Sequence, residues 1–226
     1  MDAEPEYQGP VVTVDSVLFQ LIQNELYVLL TQRAYEPFLG EWALPGGYNH
    51  RGETTHEALA GVLGRKAGIE YRALPLTMQL YTFDNVARDP RGHTISVTYM
   101  SLAHKAVPAG SDTTQNPQFF PVSKLPKLAY DHKDIILYAL QRLRSRISHT
   151  NAIFALMPEK FTLTQLQTAY EAVLGHKLDK RNFRKRWLAL DVLAPTDELA
   201  KDGAHRPAAL YRFKQRKLQT LDPTFA

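Results

Sequence analysis

Hydrophobic and polar positions along the 226-residue chain fall into two successive patterns, the first mostly strand-like. Val11–Ile22 is dominated by β-branched and apolar residues, and 26–30 is a second such run after the turn-prone pair Gln23-Asn24, so together they predict a β-hairpin. Trp42-Ala43-Leu44 is a short apolar strand entering Pro45-Gly46-Gly47. Thr54-Thr55-His56-Glu57 then places a hydroxyl at a helix N-cap and a carboxylate three residues on, the capping-box arrangement. Ala58, Leu59, Val62, Leu63 and Ala67 follow at helical spacing and predict its apolar face. Gly61 and Gly64 each weaken that helix by about 1 kcal/mol relative to alanine, which is expected to permit close packing. Strands are predicted at 77–83 and 94–102. Asp131, with Asp134 at N3, is the expected cap of a helix running to about Ile147, its apolar side made by Ile135, Ile136, Ala139, Leu140 and Leu143.

The second pattern is mostly helical. Ser148-His149-Thr150-Asn151 reads as a domain boundary, and Ala152–Leu156 is a short apolar run. A helix starts at Thr162 or Thr164, carries Leu166, Ala169, Tyr170, Val173 and Leu174, and stops at Gly175. Asp179 caps another, with Phe183, Trp187 and Leu190 inward, which completes a helix-turn-helix signature. Val192-Leu193-Ala194-Pro195 and 209–213 (ALYRF) predict a hairpin whose tip holds Lys201, Gly203, His205 and Arg206, the outline of a wing. The expected class is α/β (α+β): a mixed strand-and-helix domain over 1–147 and a winged helix-turn-helix domain over 148–226.

Charge sharpens this division. The net charge of +4 is uneven: residues 1–147 carry 14 basic and 15 acidic side chains, residues 148–226 carry 13 and 8. A basic C-terminal part points to a polyanionic partner. Its second helix turns an apolar stripe inward and Lys180, Arg181, Asn182, Arg184, Lys185 and Arg186 outward, as a recognition helix needs for phosphates and base edges. The plainer alternative is a charged, solvated face; density and position favour DNA, with Thr164, His205 and Arg206 as further contacts. The absence of cysteine excludes disulfides and thiolate metal sites. No apolar run approaches the roughly 18 residues that span a bilayer. The acidic start MDAEPEYQGP lacks the features of a signal peptide, so a cytoplasmic protein without a membrane partner is expected.

Candidate chemistry concentrates in 46–69, GGYNHRGETTHEALAGVLGRKAGI, which resembles the Nudix box G-x5-E-x7-R-E-U-x-E-E-x-G-U, where U is a bulky aliphatic. Gly47, Glu53, Leu63, Gly68 and Ile69 fall in register, and the approach QRAYEPFLGEWALPGG extends the resemblance upstream. The family's Arg-Glu is replaced by Gly61-Val62, and its Glu-Glu by Arg65-Lys66. In the family those glutamates hold magnesium against a pyrophosphate; magnesium wants oxygen ligands, neutralises charge and activates water. Valine, arginine and lysine offer no oxygen, so no catalytic residue, metal or cofactor is expected. For Arg65 and Lys66 two readings are open: charges on the solvated side of a helix, or cations that compensate phosphates directly. Glu57 reads as the cap. Glu53, alone at a family position, reads as ordering its loop more readily than as holding a metal.

The loop 84–93 contains R-D-P-R-G (88–92), which is turn chemistry but also resembles the loop of ADP-ribose-binding Nudix proteins and their regulator relatives. It would bring Arg91, ahead of Arg88, to phosphate or ribose. The candidate ligand-binding set is Arg33, Gly46, Gly47, Glu53, Arg65, Lys66, Arg88, Arg91 and His93; His132 is expected at the surface or in packing.

An altered box, the R-D-P-R-G loop, the Tyr130-Asp131-His132 helix start, and a winged helix with F-R-K-R (183–186) and H-R-P-A-x-L-Y-R (205–212) together resemble the Nudix-related transcriptional regulator (NrtR) family over about residues 8–213. The resemblance implies a Nudix-like α/β/α sandwich, with 119–122 as its last strand, joined to a C-terminal winged helix. It further implies a homodimeric bacterial repressor, usually of NAD-metabolism genes, released from double-stranded operator DNA by ADP-ribose or a related nucleotide. Other readings stay open. One is an active pyrophosphatase with a basic nucleic-acid-binding appendage, its metal on Glu53, Glu57 and a further carboxylate. Another is a regulator of sugar metabolism sensing a sugar or sugar phosphate. An RNA-binding Nudix protein is a third, against which the wing argues.

Overall fold

The structure is a computed structural model and describes residues 9–109, 116–200 and 207–221. Its organising element is β1 (Val11–Ile22), the middle strand of a seven-stranded sheet. β1 turns back into β2 (Glu25–Gln32) through Gln23 and Asn24, both at positive φ (49° and 65°), the backbone of a tight hairpin turn. On its other side β1 pairs in parallel with β6 (Thr94–Ala103), which pairs antiparallel with β5 (Leu76–Phe83). β3 (Trp42–Ala43) and β7 (Gln118–Pro121) lie against β2, and β4 (Gly46–Tyr48) against β1. Their order follows from burial on both faces, which needs a nearly continuous apolar strand. Val14 and Leu18 face one cluster, with Leu59, Val62 and Leu63 of α1 (Thr55–Ala67). Val17 and Phe19 face the other, with Ile135, Ala139 and Leu143 of α2 (His132–His149). This is the expected α/β/α sandwich.

α1 starts as its sequence predicts. Thr54 is the N-cap, Glu57 N–H donates to Thr54 Oγ1 at 3.2 Å, and Thr54 N–H donates to the Glu57 carboxylate at 2.7 Å. These bonds hold the Glu57 carboxyl below the usual range and use it up as a cap. Close packing at the helix glycines does not occur. A Cβ on Gly64 would meet open space, and one on Gly61 would meet only the flexible Arg65 guanidinium. α2 also departs from expectation at its start. Asp131 occupies the N-cap position but makes no capping bond, because its carboxylate is turned to Arg88.

α3 (Leu163–Leu174) begins at Thr162, whose hydroxyl and Gln165 form a second capping box, so Thr164 lies inside the first turn. Gly175 closes α3 at φ 82°, a conformation glycine adopts without strain. Asp179 caps α4 (Lys180–Ala189) by accepting from Asn182 N–H at 2.8 Å. The hairpin β8 (Leu193–Ala200) and β9 (Ala208–Phe213) follows. Tyr170, Phe183, Trp187 and Phe213 pack ring against ring, with centroids 5.5–6.3 Å apart, and hold the helices on the hairpin.

The junction between the two parts is packed where the sequence suggested a boundary. α2 continues to His149, and Asn151 is fully buried. The Asn151 amide donates to Lys217 C=O and its oxygen accepts from Gln219 N–H at 2.7 Å, so the segment after β9 returns to the helix end. One apolar cluster runs from Val17 and Phe19 through α2 to Ile153, Phe154, Phe183 and Trp187.

Candidate functional site

A cavity of about 320 Å³ opens where the sheet, the end of α1 and the start of α2 meet. β1 contributes Thr13 and Asp15, the segment after β2 contributes Arg33, β4 contributes Gly46, Gly47 and Tyr48, and the last turn of α1 contributes Arg65 and Lys66. Arg88, Asp89 and Arg91 of the loop before β6 and Tyr130 and His132 at the start of α2 complete the lining. Gly46 is required by proximity: a Cβ there would stand 1.9 Å from Asp15 Oδ1.

The wall is strongly charged, and its groups differ in exposure and partners; Arg33 donates to Pro37 C=O at 2.7 Å and to Tyr35 C=O at 3.2 Å. Asp15 is buried; it accepts from Ser96 Oγ at 2.6 Å and lies 3.5 Å from Arg88 and 3.7 Å from His132 Nε2. Arg88, with its side chain 5 % exposed, donates two hydrogen bonds of 2.9 Å to Asp131 and is held as a cation despite burial. His132 is buried and not at the surface. Its Nδ1 accepts from Leu44 N–H at 2.9 Å, which places the proton on Nε2, and burial keeps the ring neutral by lowering its pKa.

Arg91 is different. Asp89 holds it through bonds of 2.7 and 3.0 Å, yet its side chain is 45 % exposed. Its guanidinium donates to Tyr48 Oη at 3.1 Å and stands 5.9 Å from the ring centroids of both Tyr48 and Tyr130. Arg33 approaches the same Tyr130 ring at 4.8 Å. Tyr130 has φ 53°, which costs a non-glycine residue about 1–3 kcal/mol, and its hydroxyl has no partner among the described residues. Lys66 is half-buried: desolvation lowers its pKa, Asp15 counters that shift, and Arg33 and Arg65 reinforce it.

Of the candidate ligand residues, Arg33, Gly46, Gly47, Arg65, Lys66, Arg88 and Arg91 line this cavity. Two do not. Glu53 turns back to accept from His50 N–H and orders the loop before α1. His93 is exposed at the start of β6, where its carbonyl accepts from Val11 N–H. Arg88 lines the cavity as a buried brace for Asp15 and Asp131. Asp15, Tyr48 and Tyr130 were not singled out. Asp15 had a signal, the one charged residue inside the β1 run; Tyr130 was visible only as part of a helix start.

Magnesium would need several carboxylate or other oxygen ligands here. Glu57 caps α1 and Glu53 lies outside the cavity; of the three lining carboxylates, Asp15 is enclosed by Ser96, Arg88 and His132, Asp89 is bound to Arg91, and Glu36 lies apart from both in the segment after β2. No group of three His, Cys, Asp or Glu side chains suited to a metal occurs among the described residues. The donor set does not fit the metal of a Nudix hydrolase.

The second candidate surface is α4. Phe183 and Trp187 are buried while Lys180, Arg181, Asn182, Arg184, Lys185 and Arg186 are exposed. Arg181 and Lys185, one turn apart, lie opposite the Phe183–Trp187 stripe. Arg184 donates to Thr164 Oγ1 at 3.2 Å and ties α4 to the start of α3. Lys201, Gly203, His205 and Arg206 of the wing tip lie outside the described residues.

A cavity lined by more cations than carboxylates in a Nudix fold, with a winged helix and its basic outer helix packed on the same core, defines a class of two-part protein in which small-molecule and polyanion sites share one chain. The NUDIX domain family matches residues 11–140, and the NrtR DNA-binding winged helix domain matches residues 153–213. The chain is 36% identical over 213 residues to the ADPR-responsive transcriptional repressor NtrR of Acinetobacter baylyi, covering 92% of this chain and 84% of that protein. Shewanella oneidensis NrtR, in a crystal structure with a 27mer DNA, superposes with a TM-score of 0.78 at 32% identity, over 90% of this chain and 93% of that one. The NUDIX domain of the same Shewanella protein, complexed with ADP ribose, matches with a TM-score of 0.56 at 32% identity, over 63% of this chain and 94% of that one. The chain belongs to the Nudix-related transcriptional regulator (NrtR) family.

Proposed function

We propose that this protein is a ligand-responsive transcriptional repressor that binds operator DNA through α4 and the wing and senses ADP-ribose, or a nucleotide diphosphate of that kind, in the Nudix cavity without hydrolysing it. The observation that carries this reading is the pairing of the two sites in one packed unit. The cavity presents Arg33, Arg65, Lys66 and Arg91, and no carboxylate cluster suited to a metal occurs among the described residues. The outer helix offers Arg181, Asn182, Arg184 and Lys185 to a duplex. The Acinetobacter and Shewanella relatives support both assignments by what they respond to and bind.

α2 supplies the connection. Tyr130, Asp131 and His132 put its start in the cavity wall. At its other end Arg144 donates to Val173 C=O of α3 at 2.8 Å, and Tyr170 Oη of α3 donates to Ile147 C=O at 3.2 Å. A shift at the cavity therefore reaches the recognition unit through one helix. A homodimer would set two such units in successive major grooves of a palindromic operator, and genes of NAD metabolism are the natural targets of an ADP-ribose sensor.

The experiment selects duplexes from a random-sequence library on the full-length protein, then incubates the protein with ADP-ribose and magnesium and analyses the products. Recovery of a palindromic duplex, with ADP-ribose unchanged, is the expected result. Release of AMP would make the protein a pyrophosphatase, and preference for single strands would remove the operator assignment.

A further inference from the structure

Nudix chemistry places a divalent cation beside the diphosphate, and here the two box positions at the end of α1 carry cations of their own. Arg65 and Lys66 both line the cavity, but their settings differ. Arg65 is exposed, whereas Lys66 is half-buried at the cavity wall, within electrostatic reach of Asp15, Arg33 and Arg65. A lysine ammonium is a compact point charge with three donors, so it can meet oxygens of two neighbouring phosphates at once. Asp15, on β1, lines the same cavity, is held by Ser96, Arg88 and His132, and its charge favours the Lys66 ammonium.

We propose that Lys66 stands in for the divalent metal, so that the cavity binds its organic diphosphate as the free anion and gains nothing from magnesium. This inference rests on the nucleotide-diphosphate reading above and adds the form in which the ligand is taken. A metal-chelated diphosphate carries less charge, and its metal would meet Arg33, Arg65, Lys66 and Arg91 at close range. Free and chelated ligand are therefore discriminated in the order opposite to that of a Nudix hydrolase.

Calorimetric titration of the full-length protein with ADP-ribose, in EDTA and in millimolar magnesium chloride, tests this directly. The affinity in EDTA equals or exceeds that in magnesium. Lys66→Met weakens binding at least tenfold in EDTA, and Lys66→Arg, which keeps the charge, retains binding within a few-fold. A thermal melt of each variant within a few degrees of the parent shows that the loss belongs to the site. Tenfold or stronger enhancement by magnesium, or full affinity in Lys66→Met, overturns the assignment while leaving the ligand reading intact. Binding in neither buffer overturns the ligand reading itself, and the Lys66 assignment with it.

Discussion

Replacing Arg181 and Arg184 together by alanine is expected to weaken binding to the selected duplex by at least about thirtyfold, measured by fluorescence anisotropy at fixed salt. A side chain that reads a base edge contributes roughly 1–3 kcal/mol, so two lost contacts amount to about 2–6 kcal/mol. Both residues are exposed on α4, and the apolar face that holds the helix, Phe183 and Trp187, is untouched. The double variant should therefore melt close to the parent and keep its ADP-ribose affinity. A loss that is uniform across all duplexes would mark these arginines as phosphate contacts; unchanged affinity would take α4 out of the DNA interface.

Arg88→Met is expected to produce the largest loss of stability of any single cavity substitution. It leaves Asp131 without its two hydrogen bonds and Asp15 without the nearest cation, with Asp15 nearly inaccessible to water. Breaking a buried pair in this way costs about 3–5 kcal/mol. In a chain of this size that lowers the melting temperature by roughly 6–20 °C. A melt within about 2 °C of the parent would show that Arg88 is not the brace described here, since each kcal/mol moves the midpoint by about 2–4 °C.

That brace also shows what could be read from the sequence and what could not. Local devices were legible, because each bond spans three residues: Thr54 with Glu57 caps α1, Asp179 caps α4, and Thr162, one of two expected starts, caps α3. The β1–β2 hairpin was legible too, from two apolar runs on either side of Gln23-Asn24. The charge network was not. Asp131 looks like a cap until Arg88, 43 positions away, takes its carboxylate, and Asp15 meets Ser96 across 81 positions. Such pairings depend on β1 lying parallel to β6, which no local pattern encodes. Gly61 and Gly64 looked like packing glycines and lie against nothing rigid. Glu53 and His93 were placed by motif alone, and their backbone surroundings turned them elsewhere. Tyr130 owes its position to a left-handed backbone at the entry to α2.

The central claim is that occupancy of the cavity governs the hold of α4 on DNA. A ligand shifts that equilibrium only if it binds the DNA-free form better. The deciding measurement is the anisotropy of the labelled selected duplex, bound to the full-length protein, as ADP-ribose is added. The account predicts at least tenfold weaker DNA binding at saturation, a coupling of about 1.4 kcal/mol, and no release from Arg91→Ala at the concentration that frees the parent. DNA affinity unchanged while calorimetry shows the cavity filled would contradict it.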